Sequence, residues 1–428
     1  MAEENYNDIK LIDHLKSLFP ICRSITGNGT RKTLKYFEKF HKDYRRLKFK
    51  TGLKVLDWEI PKEWNIKNGY FENIETGEKF AEFKKNNLHI VNYSEPVNSV
   101  IDYEQLIKRI HTIKEKPDWI PYITSYYKKY WGFCIKHTDK EKLKTGKYRV
   151  YIDSSLKDGE LELSHAILKG KSKKEILFSS YICHPSMANN ELSGPVVLNA
   201  LLDYVKKRYP KRRYSYRFIL QPETIGSIAY ISKYKHQLRK NVLFGFNLSC
   251  VGDNRSYSYV NTPHKNTIAD QALNASLLNL SNVNAYSFLD RGSDERQYCS
   301  PGLKLPVCTF SRSKFGKYPE YHTSADNLDL VSEEGLKGSF EILKNIIDAC
   351  EIGLYPKVKT ICEPQLGKRG LYPNISETQK KRPSEIRMNF IAYCDGVNNI
   401  FEICKLIECD LKTVLKEYKL LKENNLII

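Results

Sequence analysis

Apolar residues recur at helical spacing near the start of the chain, where "DIKLIDHLKSLF" carries Ile9, Leu11, Ile12, Leu15 and Leu18 on one stripe. A Pro20 turn and a Gly27-Asn28-Gly29 loop interrupt it, and "TRKTLKYFEKF" resumes a helix. From residue 53 the texture changes. Short aromatic and β-branched runs alternate with NG, TG and KNN turns, the pattern of strands and hairpins, up to about residue 149. Beyond it strands and helices alternate: "YRVYIDSSL" and "GELELSHAILKG" read as a hairpin, then come "EILFSSYI", a helix from Ser193, "YRFILQPET", a helix from Ile225, "VLFGFNLSCVG", "IADQALNASLL", "LPVCTFSR" and a long helix after Ser332. Such alternation predicts an α/β fold whose mixed sheet has a parallel centre and helices on both faces. The expected organisation is one discontinuous domain, residues 1–52 and 150–360, with a β-rich insertion over 53–149.

Residues 362–384 are turn-rich and read as a linker within a C-terminal unit spanning 361–428. Three short helices and the terminal "LII" then suggest a winged helix-turn-helix. On its last helix Leu411, Val414, Leu415, Tyr418 and Leu421 share one face, with Lys412, Lys416 and Lys419 outside it. A unit that buries its own apolar faces behind such a linker is expected to be separable.

Composition narrows the class. With 41% hydrophobic and 28% charged residues in 428, the chain reads as globular, not disordered. No apolar run reaches the roughly 20 residues of a membrane span, and the polar start "MAEENYNDIK" shows no signal peptide. Eleven cysteines without a CxxC pair point to a reducing cytoplasm and away from a cysteine-built zinc site. The net charge of +19 comes mostly from lysine and reads as a solvated surface, with affinity for nucleic acid left open only for the C-terminal unit.

The polar loops after the strands hold the candidate chemistry. His184 follows "ILFSSYIC", Glu223 follows "FILQP", Asn247, Ser249 and Asp253 lie in "FNLSCVGD", and "PEYHTSAD" offers His322 and Asp326. Two histidines and a glutamate from separate strand ends match what zinc takes in a site that keeps one position open. A lone histidine after a strand is otherwise a hydrogen-bonded structural residue.

In order, "FPICRSITGNGTRKTL", "CHPSMANNELSGP", "PETIGS", "CVGD", "DRGSDERQYCSPG" and "YHTSADNLD" resemble the zinc aminopeptidases of the M28 type. The closer resemblance is to bacterial relatives with an inserted domain and a C-terminal winged helix, associated with polysaccharide biosynthesis. The resemblance implies an aminopeptidase-like (phosphorylase/hydrolase-like) fold, a zinc cofactor and an amide substrate, either a peptide end or a small molecule. It places His184 at the first metal position, Asn190 where a bridging aspartate would be, Glu223 at the glutamate ligand and His322 at the last ligand. Pro222 replaces the usual general base and Ser249 the second aspartate, which implies one zinc ion in preference to two. The base then falls to Glu295 or Glu191, and Arg291 and Arg296 are candidates to grip an anionic substrate group. His184, Glu223 and His322 are expected to bring their ligating atoms within about 4 Å of one another.

Two readings remain. One is a metal-dependent hydrolase. The other is a degenerate aminopeptidase fold that senses a ligand, with the winged helix contacting DNA or a protein. The retained histidines favour the first, and the lost carboxylates the second. The last helix lacks the arginine, asparagine or glutamine cluster that reads base edges, so a protein partner is preferred over DNA. The sequence does not distinguish a monomer from a homo-oligomer.

Overall fold

A computed structural model of the chain describes residues 6–372 and 383–428, so part of the expected linker lies outside the described residues. Helices α1 (Leu11–Leu18) and α2 (Asn28–Phe40) lead into strand β1 (Arg45–Lys50). The inserted region follows: β2 (Lys54–Val55) and β3 (Trp58–Glu59) form a small hairpin, and β4 (Glu63–Asn73), β5 (Lys79–Phe80) and β6 (Val97–Asp102) come next. After α3 (Tyr103–Ile107), β7 (Ile110–His111) pairs with β8 (Phe133–Cys134), and α4 (His137–Lys140) precedes β9 (Lys147–Lys157).

Strand β10 (Glu160–Leu168) returns to the main body. It is followed by β11 (Glu175–Tyr181), α5 (Ser193–Arg208), β12 (Ser215–Gln221), α6 (Ile225–Asn241), β13 (Val242–Leu248) and β14 (Tyr257–Val260). Helix α7 (Ile268–Leu277), β15 (Val283–Tyr286), α8 (Glu295–Tyr298), β16 (Val307–Ser311) and α9 (Glu333–Gly353) complete this body. The last unit holds α10 (Pro383–Ala392), α11 (Ile400–Leu406) and α12 (Leu411–Glu423).

The eight-stranded sheet runs β1-β10-β12-β11-β13-β16-β14-β15. Its centre, β12-β11-β13-β16, is parallel and its flanks are mixed. Every residue of β11 and β12 is buried, as strands covered on both faces must be. The insertion builds its own four-stranded sheet, β5-β4-β9-β6.

Two expectations need correction. Strands β9 and β10 are not a hairpin: β9 pairs with β4 and β6, while β10 pairs with β1 and β12. The short Asp158-Gly159 link passes the chain from one sheet to the other, a change that local alternation does not encode. The C-terminal unit also does not bury its faces on itself alone: Phe390 meets Tyr418 within the unit, at 5.7 Å between ring centres, but its apolar faces continue into the main body. Phe390, Phe401, Leu415 and Leu421 belong to one continuous apolar cluster with Phe244, Leu273 and Ile346 of the main body. Phe401 meets Phe244 at 6.3 Å between ring centres, and Val358, just after α9, bridges to Ile427 at the end of the chain.

Candidate metal centre

The carboxyl ends of the parallel strands β11, β12 and β13 converge on one edge of the sheet, where α/β folds place their ligands. His184 sits just past β11 and Glu223 just past β12. His322 arrives on the long loop between β16 and α9. Between His184 and α5 the chain forms a π turn, Ala188–Leu192. Asp326 anchors that turn by accepting the backbone N–H groups of Ala188 (3.1 Å), Asn189 (2.6 Å) and Asn190 (3.0 Å).

Within this frame His184 is held from behind. Its Nδ1 lies 2.7 Å from Glu191 Oε2, and Arg23, wholly buried, donates from Nε to the His184 carbonyl at 2.9 Å. Arg23 Nε is also 3.7 Å from Glu191 Oε1. Burial pushes the Glu191 carboxyl up and Arg23 pulls it down. Protonating Glu191 would leave the guanidinium, which cannot give up its proton, without a counter-charge, so we assign the ionised form. The carboxylate then takes the Nδ1 proton and leaves the Nε2 lone pair facing outward. On that side Glu223 Oε2 stands 3.9 Å from Nε2.

His322 completes the cluster from the other loop. Its ring centre is 5.4 Å from that of His184, and its Nε2 is buried without a hydrogen-bond partner. Burial, joined by Arg23 at His184 and by His184 at His322, lowers both histidines to about 3, so both are neutral imidazoles. Glu223 accepts from Ser293 Oγ at 2.7 Å, and burial, with Asp294 nearby, raises it to about 8. Strain gathers here as well: Ser186, Thr224, Cys250 and His322 all have positive φ.

His184 and Glu223 come as close as expected, at 3.9 Å, but the ligating atoms of His184, Glu223 and His322 are not all within 4.8 Å of one another. Among the described residues, the one trio of ligating atoms mutually within 4.8 Å is Cys183, His184 and Glu191. That trio faces inward, though: burial keeps Cys183 a thiol, and Glu191 is already spent on Nδ1. The looser set offers two neutral imidazoles and a carboxylate, one of them with an orphaned buried nitrogen, and these donors fit zinc.

The remaining candidates are distributed differently. Asn190 is buried beside the cluster, its Oδ1 accepting from Tyr181 Oη at 3.2 Å, and Ser249 meets the same hydroxyl at 2.5 Å. Glu295 stands behind the site with both oxygens engaged, by the Gly292 and Ser293 amides and by Thr309 Oγ1 at 2.7 Å. Glu191 likewise faces inward, so neither expected base opens on a substrate. Arg291 is exposed and packs over the Phe288 ring, whereas Arg296 donates to Thr224 Oγ1 at 2.6 Å and lines a cavity of about 290 Å³ that opens on His184 and Glu223.

Arg23 and Tyr122 escaped the sequence reading. Tyr122 lies 5.1 Å from the His322 ring and 5.2 Å from that of His184, and its backbone N–H donates to the His322 carbonyl at 2.8 Å. The insertion thus buttresses the loop that carries His322. Arg23 has a signal in hindsight, a lone arginine in the apolar "FPICRSI", but nothing there names its partners.

Sheet order and site position define an aminopeptidase-like α/β protein. The solved zinc aminopeptidase BSAP of Bacillus subtilis shares the fold, with a TM-score of 0.58 over 81% of this chain and 95% of that one at 14% identity. The chain belongs to the family described as a domain of unknown function, DUF4910, whose model matches residues 12–353, and a winged helix-turn-helix matches residues 354–428. A Clostridium acetobutylicum protein, named provisionally for polysaccharide biosynthesis and an aminopeptidase-like domain, is 41% identical over 396 residues, covering 91% of this chain and 89% of the relative. A crystal structure from the same organism, provisionally named a peptidase, superposes with a TM-score of 0.88 at 37% identity, covering 98% of this chain and 95% of that one.

Proposed function

We propose that the protein is a metal-dependent hydrolase that cleaves an amide bond at a peptide end or in a small molecule, with one zinc ion held by His184 Nε2, Glu223 and His322. The observation that carries this reading is the back-to-front arrangement of His184, with Nδ1 committed to Glu191 at 2.7 Å and Nε2 3.9 Å from Glu223 Oε2, beside the His322 ring, whose own Nε2 is buried without a partner. Bound there, zinc would supply Lewis acidity to the scissile carbonyl and to an attacking water. The chain's own residues do the rest. Glu191 and Arg23 hold the His184 tautomer, Ser293 orients Glu223, and Tyr122 and Tyr181 close the polar cluster against solvent. Glu223 supplies the sole carboxyl group in the cavity lining, and a bound cation would favour its ionised form, the one able to accept a proton beside a substrate. Asn190 and Ser249 bring no charge for a second ion, which supports a count of one.

The same carboxylate cannot serve fully as ligand and base, and Glu191 and Glu295 are both held in interior hydrogen bonds. That observation favours the second reading, a ligand-sensing protein of aminopeptidase-like fold without turnover. Zinc competition titration together with an amide-hydrolysis screen separates the two. The hydrolase reading expects about one zinc per chain, lost in His184→Ala and His322→Ala, and turnover abolished by chelation. Zinc binding without turnover favours the sensor. No zinc binding removes the metal from both.

The free cysteines, most of them buried, support the cytoplasmic location expected from the sequence. No helix among the described residues is long and apolar enough to cross a membrane. The name of the Clostridium acetobutylicum relative supports a role in polysaccharide biosynthesis. The winged helix, packed into the main core, is better suited to protein contact than to sequence-specific DNA recognition.

A further inference from the structure

The cavity beside His184 and Glu223 is walled by parts of the chain far apart in sequence. Ile25 and Ile225 come from the main body, and Trp58, Tyr126 and Tyr127 from the insertion. Trp58 and Tyr127 meet edge to face at 5.8 Å, and both stay exposed, at 40% and 51%. Tyr127 is held in that position, with φ at 63° and its hydroxyl donating to the Glu59 carbonyl at 3.3 Å. Two exposed aromatic rings fixed at a cavity mouth form a surface for a flat or apolar group.

The charges in the lining are unequal. Glu223 is its only carboxylate and faces the metal position, while Arg296 is its only permanent cation. Arg296 is positioned by the Thr224 hydroxyl at 2.6 Å and makes no close ion pair with a carboxylate among the described residues, although its charge reaches Glu223 and favours the ionised form of that carboxyl group. Asp294, the next acid, turns inward to the Thr224 amide, Ser227 and Gln221. A free ammonium would therefore meet a guanidinium and no uncommitted acid. A carboxylate would meet a two-pronged donor.

Resting on the hydrolase reading for the scissile bond, we propose that this cavity selects amides whose recognised end is an anion and not a free ammonium, with Arg296 as the specificity residue and Trp58 and Tyr127 as the wall for the group between. An acyl amide ending in a carboxylate fits this chemistry, whereas a peptide with a free amino terminus does not.

A matched pair of probes tests this: succinyl anilide, which ends in a carboxylate, and β-alanyl anilide, equal in length but ending in an ammonium. Calorimetric binding to the full-length protein should favour succinyl anilide by tenfold to a hundredfold, the range for a charge-assisted hydrogen-bonded contact. Arg296→Ala should bring the two to parity, Arg296→Glu should invert the order, and Trp58→Ala should weaken both. Equal or tighter binding of β-alanyl anilide, an unchanged preference in Arg296→Ala, or no binding of either probe at millimolar concentration would overturn the proposal. Hydrolysis is read separately. Arg296-dependent binding without turnover leaves the cavity assignment standing and rejects the hydrolase, and turnover without an end-group preference does the reverse.

Discussion

Replacing Glu191 with glutamine removes one charge from the interior and little volume. In the folded protein Glu191 Oε2 lies 2.7 Å from His184 Nδ1 and Oε1 lies 3.7 Å from Arg23 Nε, with neither Arg23 nor Glu191 accessible to solvent. At that separation and an effective dielectric near 20, the Arg23–Glu191 attraction is about 4 kcal/mol. Breaking a buried pair from one side costs about 3–5 kcal/mol, because the other charge is left uncompensated. Arg23 keeps its bonds to the His184 and Leu18 carbonyls, so we expect a loss near the lower end, about 3 kcal/mol. Urea unfolding of the metal-free protein measures it. The amide also holds His184 Nδ1 less firmly, and zinc affinity should fall tenfold to a hundredfold in a chelator competition. The double variant Arg23→Gln, Glu191→Gln should lose less stability than the two single losses summed, since no lone charge remains. Stability within 1 kcal/mol of the parent and zinc affinity within threefold would together refute the assignment of Glu191 as the residue that fixes His184.

Gly29→Ala should destabilise by at least about 1–3 kcal/mol in the same unfolding assay, because a Cβ there would sit 1.7 Å from the Cys22 carbonyl oxygen; an unchanged midpoint would show that this contact relaxes freely. Ending the chain at Gly353 should give a protein that aggregates or melts many degrees lower, since Phe244 and Ile346 lose their cover; a monodisperse fragment of parental melting temperature would show the winged helix to be separable. Burial, with Lys206 at one and Arg217 at the other, lowers His41 to about 3 and His165 to about 4. Below pH 6.5 the unfolded chain takes up protons these folded residues refuse, so their contribution is present above 6.5 and is lost as pH falls, by up to about 1.4 kcal/mol per pH unit each. Urea midpoints at pH 7 and 5 should differ accordingly, and the difference should shrink in a His41→Gln, His165→Gln variant, the remainder coming from His184 and His322, which burial lowers in the same way; equal midpoints in the parent would contradict the burial argument.

Much of this protein is written locally. Short continuous apolar runs such as "EILFSSY", too short for a helix of the core and alternating with helical segments, read as strands covered on both faces, and the polar loops that follow them put His184, Glu223 and Ser249 at one sheet edge, because parallel strands end on the same side. That much needs no tertiary information. Strand partners do, since pairing is decided by which apolar faces meet, and so β9 left its neighbour β10 for β4 and β6. The direction of a carboxylate is equally non-local. Glu191 and Glu295 read as free acids in "ANNELSG" and "GSDERQY", yet Glu191 is turned inward by a π turn tied to Asp326, and Glu295 by the amides of its own turn and by Thr309. Arg23, 161 residues from His184 in sequence, and Tyr122, in the insertion, reach the site only because the fold carries their segments there. Composition and periodicity determine which segments are strands, helices and loops, since those depend on near neighbours. Which buried charge faces which partner depends on distances between remote segments, and only the folded chain sets those.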